Sequence, residues 1–190
     1  MNEQEAIERL RRGQISGLAT LVERYQLQAV RAAYLITQDQ DLAKDAVQNA
    51  FLRVHRSIGS YDGQRPFAPW LMRIVVNCAL KAAKGRGAWG GVNLKDGALD
   101  DAWLDALPDP APSPDDAAEA AEIDRAVWTA VQALTPEQRA VVAMRYYLDL
   151  SEGEMAASLQ VPAGTVKSRL HAARNALRKL LTVRLPEWEG

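Results

Sequence analysis

Two helix starts of the same design, sixteen residues apart, constrain this chain more than any other feature. Thr135-Pro-Glu-Gln138 offers a capping hydroxyl, a proline at the first helical position and a glutamine that closes a capping box. Ser151-Glu-Gly-Glu154 repeats the device. Met155, Ala156 and Leu159 then share one helical face, and Val161-Pro-Ala-Gly164 breaks the period as a turn. A further helix follows, with Val166, Leu170, Ala173, Leu177 and Leu180 or Leu181 as its inward stripe. The spacing predicts a helix, a tight turn and a second helix.

The residues this stripe leaves facing outward are Thr165, Lys167, Ser168, Arg169, His171 and Arg174. Cations and hydroxyls near the start of such a helix suit entry into a major groove, where Arg or Lys binds guanine edges. The pattern therefore points to DNA. The plainer alternative is a small helical bundle with a solvated cationic face. Two capped helices joined by this turn weigh against it.

The net charge of −1 conceals an uneven distribution. Residues 1–87 carry 13 Lys and Arg against 8 Asp and Glu, residues 88–124 carry 1 against 10, and residues 125–190 carry 9 against 6. Two basic blocks flank an acidic one. The middle block is also rich in Pro, Gly and Ala, a composition that buries little and reads as a linker. It reads either as a solvated tether or as a strand that imitates nucleic acid in a binding channel. Its apolar residues, among them Trp89 and Trp103, suggest that part of it docks.

At 190 residues, 48% of them hydrophobic, the chain is long enough for one domain or two small ones. No stretch has the apolar length to span a bilayer, and the acidic N-terminus lacks a signal-peptide pattern, so a cytoplasmic protein is expected. A single cysteine, Cys78, excludes an internal disulfide or a cysteine metal cluster. It sits in an apolar run and reads as a small core residue.

The N-terminal block shows helical periodicity throughout. Ile7 and Leu10 mark a short first helix, and Leu21, Tyr25, Ala29, Ala32, Ala33 and Ile36 a second. Val47, Ala50, Phe51, Val54 and Ile58 mark a third. Phe67, Trp70, Leu71, Ile74, Val75 and Cys78 mark a fourth, after the loop Gly59-Ser-Tyr-Asp-Gly-Gln-Arg-Pro66. No alternating strand pattern occurs.

Here the chain resembles a family. Asp45-Ala-Val-Gln48-Asn-Ala-Phe51-Leu-Arg-Val54, Tyr61-Asp-Gly63 and Phe67-Ala-Pro-Trp70-Leu-Met-Arg73-Ile-Val-Val-Asn77 look like region two of bacterial sigma factors. Leu134-Thr-Pro-Glu-Gln-Arg139, Gly164-Thr-Val-Lys-Ser-Arg169 and Ala172-Ala-Arg174 look like region four. Two regions joined by a linker are the layout of the extracytoplasmic-function group of the sigma-70 family. The expected fold is all-α, with two small helical domains joined by a flexible acidic linker. The expected boundaries are 1–87 for region two, 88–117 for the linker and 118–190 for region four.

The resemblance implies a factor that binds core RNA polymerase, directs it to promoters and assists opening of the −10 element. It implies no catalytic residues, no cofactor and no metal. Asp45, Gln48, Asn49, Leu52 and Arg56 would meet the clamp helices of the largest polymerase subunit. Tyr61, Asp62, Gln64, Arg65 and Phe67 would read the −10 element, where a base leaves the stack and single-stranded DNA is exposed. Arg73, Asn77, Lys81 and Lys84 recur at helical spacing and would follow phosphates or the upstream duplex edge. Trp70 lies on the apolar stripe and reads as core. Thr165, Lys167, Ser168, Arg169, His171 and Arg174 would meet the −35 element. An anti-sigma protein is a further partner the family implies.

The chain departs from the family at four positions. Lys44 and Asn49 stand where acidic residues are frequent, which makes the polymerase-facing surface less acidic. Pro162 stands where a capping serine is frequent, and a proline at the first helical position would substitute for that cap. Ala172 stands where a cation is frequent, which implies a different promoter preference. The alternative function is an autonomous helix-turn-helix regulator acting without polymerase; the region-two motifs count against it. An enzyme such as a recombinase would need convergent nucleophiles or carboxylates, and none stands out. A decoy that titrates an inhibitor would keep the fold without supporting transcription.

Overall fold

The computed structural model describes residues 1–87, 123 and 125–184, and every described element is helical. The expected linker falls almost wholly outside these residues, as do the readings placed on it. The N-terminal part consists of α1 (Glu3–Arg11), α2 (Ile15–Thr37), α3 (Gln40–Ser57), a 3-10 turn (Ile58–Ser60) and α4 (Phe67–Gly87). The C-terminal part begins with α5 over residues 125–132. It continues with α6 (Pro136–Val142), a π-turn (Ala143–Tyr147), α7 (Glu152–Leu159) and α8 (Ala163–Arg184). The all-α fold expected from the sequence is the fold observed.

Four of the described helices begin where a side chain satisfies their first amides. Asn2 accepts from the Glu5 amide at α1, and Asp39 from the Leu42 amide at α3. Both capping boxes read from the sequence are present: Thr135 with Gln138 at α6, and Ser151 with Glu154 at α7. α7 ends at Gln160, whose left-handed backbone (φ 54°) turns the chain. The next helix starts at Ala163, so Pro162 precedes it. The Pro162 carbonyl accepts from the Thr165 and Val166 amides. The expectation that Pro162 takes the first helical position is thereby corrected by one residue. Gly164 lies inside the helix rather than in the turn.

α1 packs on α2, and α2, α3 and α4 pack on one another. Their core holds Leu21, Ile36, Val54, Phe67, Leu71, Met72, Val75 and Val76, and Cys78 is buried at its margin as a small apolar residue. Burial pushes the Cys78 thiol pKa up, which disfavours the reactive thiolate. Gly17 permits the close crossing of α1 and α2. A Cβ there would collide with the Ala6 carbonyl and stand 2.7 Å from the Leu10 nitrogen. In the C-terminal part α6 and α7 pack on α8 around Val141, Met144, Met155, Val166 and Leu170.

The two parts are docked. α6 lies against α2 and α4, and α7 against α4. Buried apolar residues of both form one connected cluster. Trp128 of α5 stacks on Tyr34 of α2, with ring centres 5.5 Å apart. Arg139 of α6 is buried and drives its guanidinium into the end of α2. Its Nε and Nη2 donate to the Ile36 carbonyl at 3.0 and 2.8 Å, and its Nη1 to the Leu134 carbonyl at 2.6 Å. A cation at a helix C-terminus complements the carbonyls left open there and the negative end of the helix dipole.

Candidate nucleic-acid and polymerase interface

α3 buries Ala43, Ala46, Val47, Ala50, Phe51 and Val54, which turns Asp45, Gln48, Asn49, Leu52 and Arg56 to solvent. The amide of Asn49 donates back to the Asp45 carbonyl, and Leu52 remains 48% exposed. A large apolar side chain amid exposed polar residues gives this face a hydrophobic centre with a polar rim, the anatomy of a binding patch.

The loop between α3 and α4 is held from below by aromatic packing. Tyr61 meets Phe67 edge-on at 5.4 Å between ring centres and lies 5.2 Å from Trp70. Phe67 also contacts Tyr25. Phe67 is 1% exposed and Tyr61 6%. This corrects the reading of Phe67 as a stacking surface for bases. An aromatic at a loop–helix boundary is apolar enough to fold under the loop, and here it does. Tyr61 likewise offers bases only a small edge, and its hydroxyl donates to the Arg65 carbonyl. Burial raises the pKa of that hydroxyl. Asp62 accepts from the Gln64 amide, so Asp62, Gln64 and Arg65 stand exposed on a small turn. Arg11 of α1 ties this loop down by donating to the Tyr61 carbonyl, with its guanidinium 5.6 Å from the ring centre. That tether joins residues 50 positions apart and has no local signature.

Arg73, Asn77, Lys81 and Lys84 form one row along α4, but three of the four are engaged by the C-terminal part. Arg73 pairs with Glu154 at 2.7 Å. The Asn77 amide donates to the carbonyl and hydroxyl oxygens of Ser158, each at 3.1 Å. Lys84 pairs with Glu137 at 3.1 Å. Lys81 is exposed. A cleft of about 400 Å³ opens between the two parts, with Tyr61, Asp62, Arg65 and Trp70 on one side and Leu148, Asp149 and Glu154 on the other. Trp70 is half-buried and lines it, so it is less enclosed than a core residue.

On α8 the inward residues Val166, Leu170 and Ala173 are buried. Lys167, Ser168, His171 and Arg174 are exposed, and Thr165 and Arg169 are half-buried. Ser168 donates to the Thr165 carbonyl, and a ring nitrogen of His171 lies 2.9 Å from the Asn175 amide. Arg174 is held by a residue outside this helix. Its Nε donates to the Tyr146 hydroxyl at 2.9 Å, and its guanidinium lies 5.9 Å from that ring's centre. Tyr146 is 62% exposed because the π-turn, closed by the Leu148 amide on the Ala143 carbonyl at 3.2 Å, rotates it out of the core. This contact leaves the two terminal nitrogens of Arg174 available to an acceptor such as a phosphate. Sequence reading overlooked Tyr146; the adjacent Tyr146-Tyr147 pair ahead of a capping box was the available signal.

No described helix is long and apolar enough to cross a membrane. Residues 21–88 match Sigma-70 region 2, and residues 124–177 match Sigma-70, region 4. Over 97% of its length the chain is 31% identical to the RNA polymerase sigma-H factor of Pseudomonas aeruginosa, covering 96% of that protein. It is 27% identical to the ECF RNA polymerase sigma factor SigW of Bacillus subtilis, over 92% of this chain and 94% of that one. It is 29% identical to the ECF RNA polymerase sigma-E factor of Escherichia coli, over 93% of each chain. Its fold is similar to that of the sigma factor RpoE from Bartonella quintana, solved with the anti-sigma factor NepR. That match has a TM-score of 0.61 at 22% identity and covers 87% of this chain and 96% of the other. CnrH, solved with the cytosolic domain of CnrY, gives a TM-score of 0.56 at 22% identity over 95% and 97% of the two chains. The chain belongs to the sigma-70 family of RNA polymerase sigma factors, in its extracytoplasmic-function group, and is an alternative sigma factor for transcription initiation.

Proposed function

We propose that residues 1–87 bind core polymerase and the −10 element, that residues 118–190 bind the −35 element, and that residues 88–117 link them. The exposed face of α3, with Asp45, Gln48, Asn49, Leu52 and Arg56, meets the clamp helices of the largest polymerase subunit. The loop residues Asp62, Gln64 and Arg65, the exposed edge of Tyr61, and the α4 row of Arg73, Asn77, Lys81 and Lys84 meet the −10 region. Phe67 supports that loop from beneath. On α8, Lys167, Ser168, Arg169, His171 and Arg174, with Thr165 at the helix start, meet the −35 element. The chain works without catalytic residues, cofactor or metal, in the cytoplasm, and an anti-sigma protein is a natural regulator.

One observation carries this reading: both family regions are present, and the α3 and α8 faces assigned to polymerase and to the −35 element are largely turned to solvent around cores that the rest of each helix fills. Replacing Asp45 and Gln48 together by alanine tests the polymerase surface. Core-polymerase affinity should fall while helicity is retained, because both side chains are exposed on a helix whose core face is untouched. Retained affinity with intact helicity would place the polymerase surface elsewhere.

A further inference from the structure

Tyr146 is a large ring that the core does not take up, mounted on a backbone that is fixed. Ala143 and Met144 are buried beneath the π-turn. The Leu150 amide donates to the Met144 carbonyl at 3.0 Å, and Arg145 donates to the Leu150 carbonyl at 3.1 Å. The Tyr146 hydroxyl accepts from Arg174 Nε, and the guanidinium lies near the ring within cation–π range. The two residues are 28 positions apart, so the contact ties the π-turn to α8 and is not a property of α8 alone.

The contact engages each partner only in part. Nε supplies one of the five N–H groups of a guanidinium, and the terminal nitrogens remain as a planar fork suited to two oxygens of one anion. The Tyr146 oxygen accepts, so its own hydrogen is left to donate. Arg174 makes no ion pair among the described residues, whereas Arg73 and Lys84 do. Position along α8 decides which anion fits. Residues at the start of a recognition helix reach base edges. Arg174 lies about three turns beyond the first residue, Ala163, or about 16 Å along the axis. That exceeds the roughly 12 Å width of a B-form major groove, so Arg174 falls at the groove wall, where phosphates run. Tyr146 leads into α7, the helix that crosses the backbone in this motif.

We propose that Tyr146 and Arg174 form a clamp for one backbone phosphate beside the −35 element. Arg174 binds it through its terminal nitrogens, the Tyr146 hydroxyl donates to the same group, and Tyr146 is the residue that positions Arg174. The clamp fixes the register of α8 on the duplex and adds affinity without reading a base. Because the arginine is already held, less side-chain freedom is lost when DNA arrives. This rests on the assignment of α8 to the −35 element.

The full-length chain assembled with core polymerase tests the clamp, on a promoter found by transcription in vitro. A series of duplexes carries one uncharged methylphosphonate at each successive position along the −35 element. Tyr146→Phe and Arg174→Ala should each weaken binding of the unmodified duplex about two- to tenfold. Both should blunt the same one of the phosphate positions to which the wild type is sensitive. Both should keep the wild-type ranking of −35 base substitutions. Arg174→Ala should also lower the slope of log affinity against log salt by about one, and Tyr146→Phe, which changes no charge, by less. Both side chains are exposed, so thermal unfolding should not change. Should Arg174→Ala unfold early, Tyr146→Phe alone decides, by the same readings. A changed ranking in Arg174→Ala would make Arg174 a base reader and overturn the clamp. A phosphate sensitivity abolished by Arg174→Ala but untouched by Tyr146→Phe would overturn the role of Tyr146. Variants that both keep every phosphate sensitivity of the wild type overturn the proposal as well. A wild type indifferent to every −35 base change would instead overturn the assignment of α8 itself.

Discussion

The surfaces proposed to face DNA in the two regions are built alike and presented differently. Each is a row of cations and hydrogen-bonding groups on the outer face of a long helix whose inner face is core. On α8 the row is largely open: Lys167, His171 and Arg174 face solvent, and the contacts of His171 and Arg174 stay within the C-terminal part. On α4 three of four members are bound by the other region. The difference lies in what surrounds the two helices. α8 is the last described element and packs on one side only, whereas α4 lies between α2, α3 and the docked α6 and α7. A cationic helix face in the middle of a chain that also carries acidic caps finds an internal partner.

That contrast can be tested where it is strongest first. Phe67→Ala should remove about 3–5 kcal/mol of stability from the N-terminal part, since the ring is fully enclosed by Tyr25, Tyr61 and Trp70. Urea unfolding should show the loss, and binding of duplex DNA through α8 should survive it. A loss below 1 kcal/mol would mean that Phe67 is not the support of the loop. Arg169→Ala should cost about 1–3 kcal/mol of discrimination at the −35 element if the side chain reads a base. Competition between promoter variants measures it, and an unchanged ranking removes Arg169 from the readout set. Tyr146→Phe keeps the ring and deletes the hydrogen bond to Arg174, for about 0.5–1.5 kcal/mol of −35 affinity. The sharper reading is a double-mutant cycle with Arg174→Ala: strict additivity would show that the two do not act together.

The smallest effect belongs to the Lys84–Glu137 pair, worth up to about 1 kcal/mol at this exposure. Burial alone would raise the Glu137 pKa. A backbone hydrogen bond and the nearby cations Lys84 and Arg169 outweigh it and hold the carboxyl below the usual carboxylate range. A lowered carboxylate stabilises the docked form fully above the ordinary carboxylate pKa. That contribution is lost as pH falls through the lowered value. The interdomain distance, followed by fluorescence transfer, should therefore begin to lengthen at acidic pH in the wild type. Glu137→Gln should remove this part of the response; an identical acid profile in both would exclude Glu137 from the contact.

Much of the fold can be read from local signals. The capping boxes at Thr135 and Ser151 and the apolar stripes of α2, α3 and α4 are short-range chemistry, and the structure keeps each of them. What the sequence conceals depends on distant partners. Arg139 is buried on a carbonyl 103 residues away, a contact no local pattern announces. The need for Gly17 likewise comes from α1 crossing it, not from its own helix. Phe67 has the chemistry of a base-stacking residue and of a core residue alike, and packing decides for the core. Pro162 differs from expectation by one position, within the range over which helix starts shift. The residues of the candidate interface were legible as types on helix faces. Their occupation by region four was not, because it arises from docking across the linker.

The most direct test is transcription in vitro, with core RNA polymerase from the source organism and its genomic fragments, with and without this protein. New start sites that depend on the protein are predicted, sharing one element near −35 and one near −10. The absence of new transcripts, with tight and specific duplex binding by the protein alone, would contradict the account and describe an autonomous regulator.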